Sequence, residues 1–253
     1  MNAATIQQNI ELFHLLFLSF LGKKLDKRRY ALKGGCNLRF FFGSPRYSED
    51  MDLDVADAPV HALRDIVNGL LASAPFRQAL QAADLEIEHV TEHKQTATTQ
   101  RWKFGLRLMR SVRPAPTRIE FSRRGLRGAV VLGAAAPALV QRYGLAPVLI
   151  PHYDGETALR QKIEALAGRR VTQARDIFDL HLLLSEERMR EARSHLAPAV
   201  IMRARDHALD LSYDDFKGQV VAFLDAADQD GYDSPRVWET IQLRVFELLE
   251  AAP

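Results

Sequence analysis

Ile6, Ile10, Phe13, Phe17 and Phe20 recur three or four residues apart, the spacing that lines one face of an α-helix. The pattern predicts a first helix over residues 5 to 21, made amphipathic by Glu11, His14 and Ser19. Further along, the period drops to two. Asp50, Asp52 and Asp54 alternate with Met51, Leu53 and Val55, predicting a half-buried strand over residues 46 to 55. Side chains two apart on a strand share a face, so the carboxylates line one side and the apolar set anchors the other. Residues 101 to 108 alternate likewise, with Trp102, Phe104, Leu106 and Leu108 opposite Arg101, Lys103 and Arg107. In residues 117 to 122, Ile119 and Phe121 flank Glu120, which therefore projects from the other face.

The remaining elements follow from breakers and periodicity. A short helix is expected from Cys36 to Phe42, ended by Gly43-Ser44-Pro45; Pro59 opens a helix reaching Ser73, and another covers residues 76 to 83. Residues 85 to 90 suit a strand. Residues 125 to 150 are rich in Ala, Gly and Val and predict a strand, a turn and a second short strand, with a boundary near residue 153. Helical spacing then dominates. Residues 155 to 167 present Leu159, Ile163 and Leu166; Thr172 is a candidate cap for the next helix, which buries Ile177, Phe178, Leu180 and Leu184. On that helix Asp176 and Asp179 share a face, and Arg175 is spaced to pair with Asp179. Three or four more helices, with Phe216, Phe223, Trp238 and Phe246 as core, extend to Leu249. The expected class is α+β: residues 1–153 as a mixed twisted sheet flanked by helices, and residues 154–253 as a helical bundle.

Candidate chemistry concentrates in residues 33 to 55. Closely spaced carboxylates repel one another and are tolerated where a cation sits between them. Hard oxygen donors on a rigid strand suit Mg²⁺, with Mn²⁺ as an alternative, the remaining ligands coming from substrate phosphates. Gly34-Gly35 precedes them where a helix starts, letting backbone N–H groups approach a phosphate. Asp50 and Asp52 are thus candidate metal ligands and Gly34 and Gly35 a candidate triphosphate cradle, with Lys33, Arg46 and Ser48 as further nucleotide contacts.

Charge adds a second feature. The chain of 253 residues carries a net charge of only +2, but residues 101 to 127 hold nine Lys or Arg against Glu120 alone. Residues 206 to 250 hold eleven acids against Lys217, Arg236 and Arg244. The basic stretch suits a polyanion such as an RNA backbone. One cysteine, Cys36, excludes an internal disulfide and fits a reducing cytoplasm. No apolar run reaches the roughly 18 residues of a membrane span.

The glycine pair followed by Asp-x-Asp resembles the signature of polymerase-β-type nucleotidyltransferases. More narrowly, LKGG followed by R-x-S-E-D-x-D-L, together with Lys162 and the later ARDIFDL, resembles the AbiEii/AbiGii toxin family of abortive-infection toxin–antitoxin pairs, over residues 30 to 184. The resemblance implies a polymerase-β-like fold for the first domain. It also implies transfer of a nucleotide from a nucleoside triphosphate, most naturally to an RNA such as the 3′ end of a tRNA, and a cognate antitoxin. It assigns Glu120 as a third metal carboxylate and Lys162 and Asp176 as catalytic residues. Rival expectations are a small-molecule or protein acceptor, and a non-catalytic RNA-binding regulator, which would need none of the carboxylates.

Overall fold

The computed structural model describes residues 5–108 and 113–250; Arg110 of the basic stretch and the side chain of Leu108 lie outside the described residues. The chain forms two compact units. One takes the chain up to Phe41 and Tyr47–Tyr153; the other takes Phe42–Arg46 and everything from Asp154 onward.

The first unit runs α1 (Ile6–Leu21), β1 (Tyr30–Lys33), α2 (Gly34–Phe41), β2 (Asp50–Val55), α3 (Val60–Ala72), α4 (Ala74–Ala82), β3 (Leu85–Gln95), β4 (Thr99–Leu108), β5 (Ala115–Ser122), β6 (Val130–Ala134), α5 (Pro137–Arg142) and β7 (Leu149–Tyr153). Its strands form one mixed sheet in the order β3-β4-β5-β2-β1-β7-β6. Pairings β2–β5 and β1–β7 are parallel and the others antiparallel. Period-two alternation sends Met51, Leu53, Trp102, Phe104, Ile119 and Phe121 into the core, all essentially inaccessible. Helix α1 packs aromatically there, Phe13 meeting Phe104 edge-on at 5.1 Å and Phe17 meeting Phe76 at 6.5 Å. A capping box between Thr5 and Gln8 starts this helix.

Glu11 and His14, two of the three polar residues that interrupt the α1 stripe, are buried, and each is hydrogen-bonded. Glu11 accepts from Arg39 Nε at 2.6 Å and from the Tyr143 hydroxyl at 2.5 Å. Breaking a buried pair by removing one partner typically costs about 3–5 kcal/mol, because the other charge stays behind. Glu11→Ala is accordingly expected to lower stability by roughly 3 kcal/mol, read as a lower urea midpoint at unchanged slope. No effect would show that Arg39 finds an equivalent carboxylate elsewhere.

The second unit contains α6 (Gly155–Gly168), α7 (Ala174–Leu183), α8 (Glu186–His195), α9 (Pro198–His207), α10 (Tyr213–Gln219), a short 3-10 turn (Val221–Phe223), α11 (Ala226–Tyr232) and α12 (Pro235–Glu250). Leu159, Ile163, Leu166, Phe178, Phe216 and Trp238 fill its core, with Phe216 and Trp238 stacked at 4.5 Å. Phe223 and Phe246, expected there, are only half-buried. Asp154 caps α6 by accepting from Thr157 N at 2.8 Å. Helix α7 is preceded by Gln173 at its cap position, so Thr172 does not cap it. Five α-helices follow Ser185 among the described residues, more than expected. In residues 125–150 the short α5 lies between the two strands; Pro137 at its first turn removes only an N–H that a helix start leaves unpaired anyway.

Candidate active site

The strand ladder can be traced from β1 outward. Gly34 follows β1 directly and begins α2 with φ +67°, a conformation that disfavours any Cβ. A Cβ built there would stand 3.3 Å from Asp52 Oδ2. The glycine turn and the second aspartate of β2 are therefore immediate neighbours. Gly34→Ala is expected to cost about 1–2 kcal/mol of stability through the left-handed backbone, and to weaken nucleoside triphosphate binding more than that loss explains. Chemical denaturation and a nucleotide titration on the same variant measure the two effects; unchanged nucleotide affinity would remove Gly34 from the cradle.

The start of β2 is fixed from behind. Ser48 Oγ donates to Asp50 O at 2.8 Å, the Cys36 thiol approaches the same carbonyl at 3.4 Å, and Thr117 Oγ1 donates to Glu49 O at 2.6 Å. Having given up its proton, the Thr117 oxygen accepts from His14 Nε2 at 2.9 Å. Burial pushes the His14 ring down to about 3, so it is neutral, with its proton on Nε2 and Nδ1 left facing Cys36 Sγ at 3.6 Å. The same burial pushes the Cys36 thiol up, away from the thiolate. These groups hold the start of the strand. Ser48, expected as a nucleotide contact, belongs to this set.

Strand register puts the acids in order. In the parallel β2–β5 ladder Asp50 lies opposite Arg118 and Asp52 opposite Glu120. Lys33 on β1 lies opposite Asp52, and on β4 Arg101 lies opposite Glu120 and Lys103 opposite Arg118. All occupy the face away from the core. Arg118 Nη2 meets Asp50 Oδ2 at 2.7 Å, and Arg101 meets Glu120 Oε2 at 2.5 Å. For Asp52, burial raises the carboxyl above its ordinary value; Arg118 and Lys33 pull it back, and Glu120 and Asp50 push it further up.

Two of the expected nucleotide contacts are engaged with protein carboxylates. Lys33 does not point to the glycine cradle as an independent cation: its ammonium is 2.6 Å from Asp54 Oδ1, and Asp54 Oδ2 accepts from the Tyr153 hydroxyl at 2.7 Å. Asp54 is thus a buried structural acid. Arg46 belongs to the helical unit, where its guanidinium reaches Asp179 at 3.1 Å. Among the described residues no group of three or more His, Cys, Asp or Glu side chains is assembled to hold a metal ion, so Asp50, Asp52 and Glu120 do not form a ready three-acid set. Glu120 is held by Arg101. Asp50 and Asp52 still fit a divalent cation. They are adjacent hard donors on one face, beside a glycine that admits a phosphate, and Mg²⁺ commonly takes one or two carboxylates plus phosphate oxygens.

Within the helical unit a second charge cluster is built around two enclosed acids. Asp176 and Asp179 on α7 are inaccessible to solvent. Lys162 on α6 stands 3.1 Å from Asp176 and 2.5 Å from Asp179, Arg169 also binds Asp176, and Arg46 binds Asp179. Burial opposes ionisation of Asp176, but Lys162 and Arg169 outweigh it and hold the carboxyl below its ordinary value. Asp179 pairs with Lys162 and Arg46; the expected partner was Arg175. The arginines at 101 and 118 had no place among the expected site residues. Their signal was present in the alternation of β4 and β5, but only strand register joins them to the acids.

Among the described residues no helix is long and apolar enough to cross a membrane. No match exists among curated proteins. Several solved structures share the architecture. JHP933 from Helicobacter pylori is 17% identical over 98% of this chain and 95% of its own, with a TM-score of 0.59. MenT4, a nucleotidyltransferase toxin from Mycobacterium tuberculosis, is 18% identical over 96% of this chain and 84% of its own, with a TM-score of 0.68. Likeness at such identities establishes the fold. The model of the family described as nucleotidyl transferase AbiEii toxin, type IV toxin–antitoxin system, matches residues 12–243. That match takes in both the carboxylate strand and the Lys162 cluster, and the chain belongs to the AbiEii nucleotidyltransferase toxin family.

Proposed function

We propose that this nucleotidyltransferase toxin uses Mg²⁺, or Mn²⁺ in its place, to transfer a nucleoside monophosphate from a nucleoside triphosphate to an RNA acceptor, the 3′ end of a tRNA. The observation that carries the reading is the placement of Asp52 directly against Gly34, with Asp50 on the same face. A bound divalent cation would supply charge neutralisation at the phosphates and a more acidic acceptor hydroxyl. Asp50 and Asp52 would hold it. The backbone N–H groups of Gly34 and Gly35 would grip the triphosphate. Ser48, Thr117 and His14 keep the strand carrying the two acids in register.

The acceptor follows from charge. Outward from the acids, the same face of the sheet carries Arg101, Lys103 and, at the far end of β4, Arg107. Such a basic strip suits the closely spaced phosphates of RNA. A small cationic acceptor would meet repulsion there. Lys162 and Asp176, assigned by family resemblance, fit a positioning role: two of the ammonium's three donors are taken by Asp176 and Asp179, leaving one for a phosphate. The family further implies a cognate antitoxin and an intracellular target.

The test is incubation of the protein with Mg²⁺, total tRNA and each labelled nucleoside triphosphate, beside Asp52→Ala. Label in tRNA with the wild type alone supports the reading. Label on protein or on a small molecule instead would overturn the acceptor and leave the chemistry; label with Asp52→Ala would overturn the assignment of the acids.

A further inference from the structure

The face that carries Asp50, Asp52 and Glu120 also carries two arginines already seated on those acids. With Lys33 paired to Asp54 and Lys103 farther out on β4, the three carboxylates and two guanidiniums between them sum to a net charge of −1. That is the arrangement expected of a cation site whose counter-charge is built into the neighbouring strands. Arg118 is the informative member. It lies opposite Asp50 in the β2–β5 ladder, with Nη2 at 2.7 Å from the carboxylate. Its Nε is buried and has no hydrogen-bond partner. The guanidinium is thus engaged through one edge while the donor beside it is unused. Both side chains of the pair remain about one-third exposed, 33% and 34%, so water and salt weaken the contact and it can exchange.

A divalent cation arriving at Asp50 and Asp52 would repel the guanidinium from the same oxygens. The nearest alternative of matching shape is a phosphate, whose oxygens accept bidentately from the planar fork of an arginine. Such a group would satisfy the unused Nε as well. Lys103, next in the ladder, prevents retreat toward β4 by like-charge repulsion. Arg101 relates to Glu120 in the same manner, at 2.5 Å.

We infer that Arg118 exchanges partners on substrate binding, neutralising Asp50 in the ligand-free protein and gripping the triphosphate once a divalent cation takes Asp50. This rests on the reading of Asp50 and Asp52 as the cation site. Metal and nucleotide binding are then coupled through one side chain. Nucleotide without metal is excluded, because Arg118 is occupied and three carboxylates face the incoming phosphates.

The consequence is a pair of effects with opposite signs. Removing Arg118 removes a competitor for Asp50, so Mn²⁺ alone, followed by loss of its free-ion paramagnetic signal, binds Arg118→Ala roughly three- to five-fold more tightly than wild type. The same variant, saturated with Mg²⁺, binds ATP or the other nucleoside triphosphates about ten-fold or more weakly in calorimetric titration. Arg118→Lys keeps the charge and loses the fork; its Mn²⁺ affinity stays near wild type while triphosphate affinity falls several-fold. It also keeps the test decisive if the alanine variant does not fold. A purely structural arginine would weaken both ligands together, and that result, or unchanged Mn²⁺ affinity with Arg118→Ala, overturns the exchange while leaving the site in place. Wild-type protein binding neither Mn²⁺ nor any nucleotide would overturn the site itself, and the exchange with it.

Discussion

Asp52→Asn is expected to abolish nucleotide transfer, by on the order of a thousand-fold or more, while leaving the fold at least as stable as wild type. The first half follows from position: the carboxylate sits against Gly34, where the proposed triphosphate would bind, and loss of one preorganised electrostatic group commonly costs a hundred- to thousand-fold even without a metal ligand at stake. The second half follows from its titration. Burial and the neighbouring Glu120 and Asp50 raise the Asp52 carboxyl above its unfolded value, so the folded state holds that proton more tightly than the unfolded one. Stability from this group is therefore fully present below the unfolded value and is lost as pH rises through the folded one. Asparagine removes that loss. The Tm of Asp52→Asn should exceed wild type near neutrality, and the difference should vanish below about pH 4, where the unfolded carboxyl is itself protonated. Transfer is measured with labelled nucleotide, and Tm across pH by calorimetry. A variant that is inactive and also less stable at neutral pH would mean that Asp52 holds the fold together, in the manner of Asp54.

Asp179→Ala should do the reverse, acting first on stability. Its carboxylate is inaccessible and receives both Arg46 and Lys162, the former only 6% exposed along its side chain. Deleting the acid leaves two cations enclosed with less than their counter-charge. Truncating one partner of a buried pair typically costs about 3–5 kcal/mol, a large share of the roughly 5–15 kcal/mol that holds a protein folded. Urea unfolding is expected to show an early transition attributable to the helical unit, and Asp179→Asn to recover part of the loss. A midpoint unchanged within error would mean that the cluster is as well served by Asp176 alone.

The two variants also show where sequence was a sufficient guide. Alternation of acid and apolar residues was enough to place Asp50 and Asp52 on one face, because period two is a local property of a strand. The placement of Glu120 opposite its flanking Ile119 and Phe121 was legible for the same reason. Helix α1 was legible from spacing, although Glu11 and His14 read as surface residues and are in fact interior ones with dedicated partners. What could not be read is pairing across distance. Arg46 and Asp179 are 133 positions apart, and Lys33 and Asp54 are 21 apart on antiparallel neighbours. Their union is a consequence of tertiary register. Lys33, Arg46 and Ser48 were read as nucleotide contacts because they lie near the glycine pair in the chain; their protein partners, Asp54, Asp179 and the Asp50 carbonyl, are set by the fold and could not be read there. Helix α5 was missed because an Ala- and Gly-rich stretch between two strands gives no strong period, and its Pro137 marks a helix start as readily as a turn.

The chain leaves the sheet unit after Phe41, spends five residues with the helical unit, and returns at Tyr47. The two units are therefore not beads separable by one cut. A fragment ending at Tyr153 would keep Phe42–Arg46 as an orphan loop, its arginine stripped of Asp179, and the complementary fragment would lack a cation its core was built around. For the history of such a chain, this interlacing means that the helical unit cannot be exchanged as a cassette by recombination at a single point. Diversity in these proteins would have to come by substitution, or by recombination at more than one point.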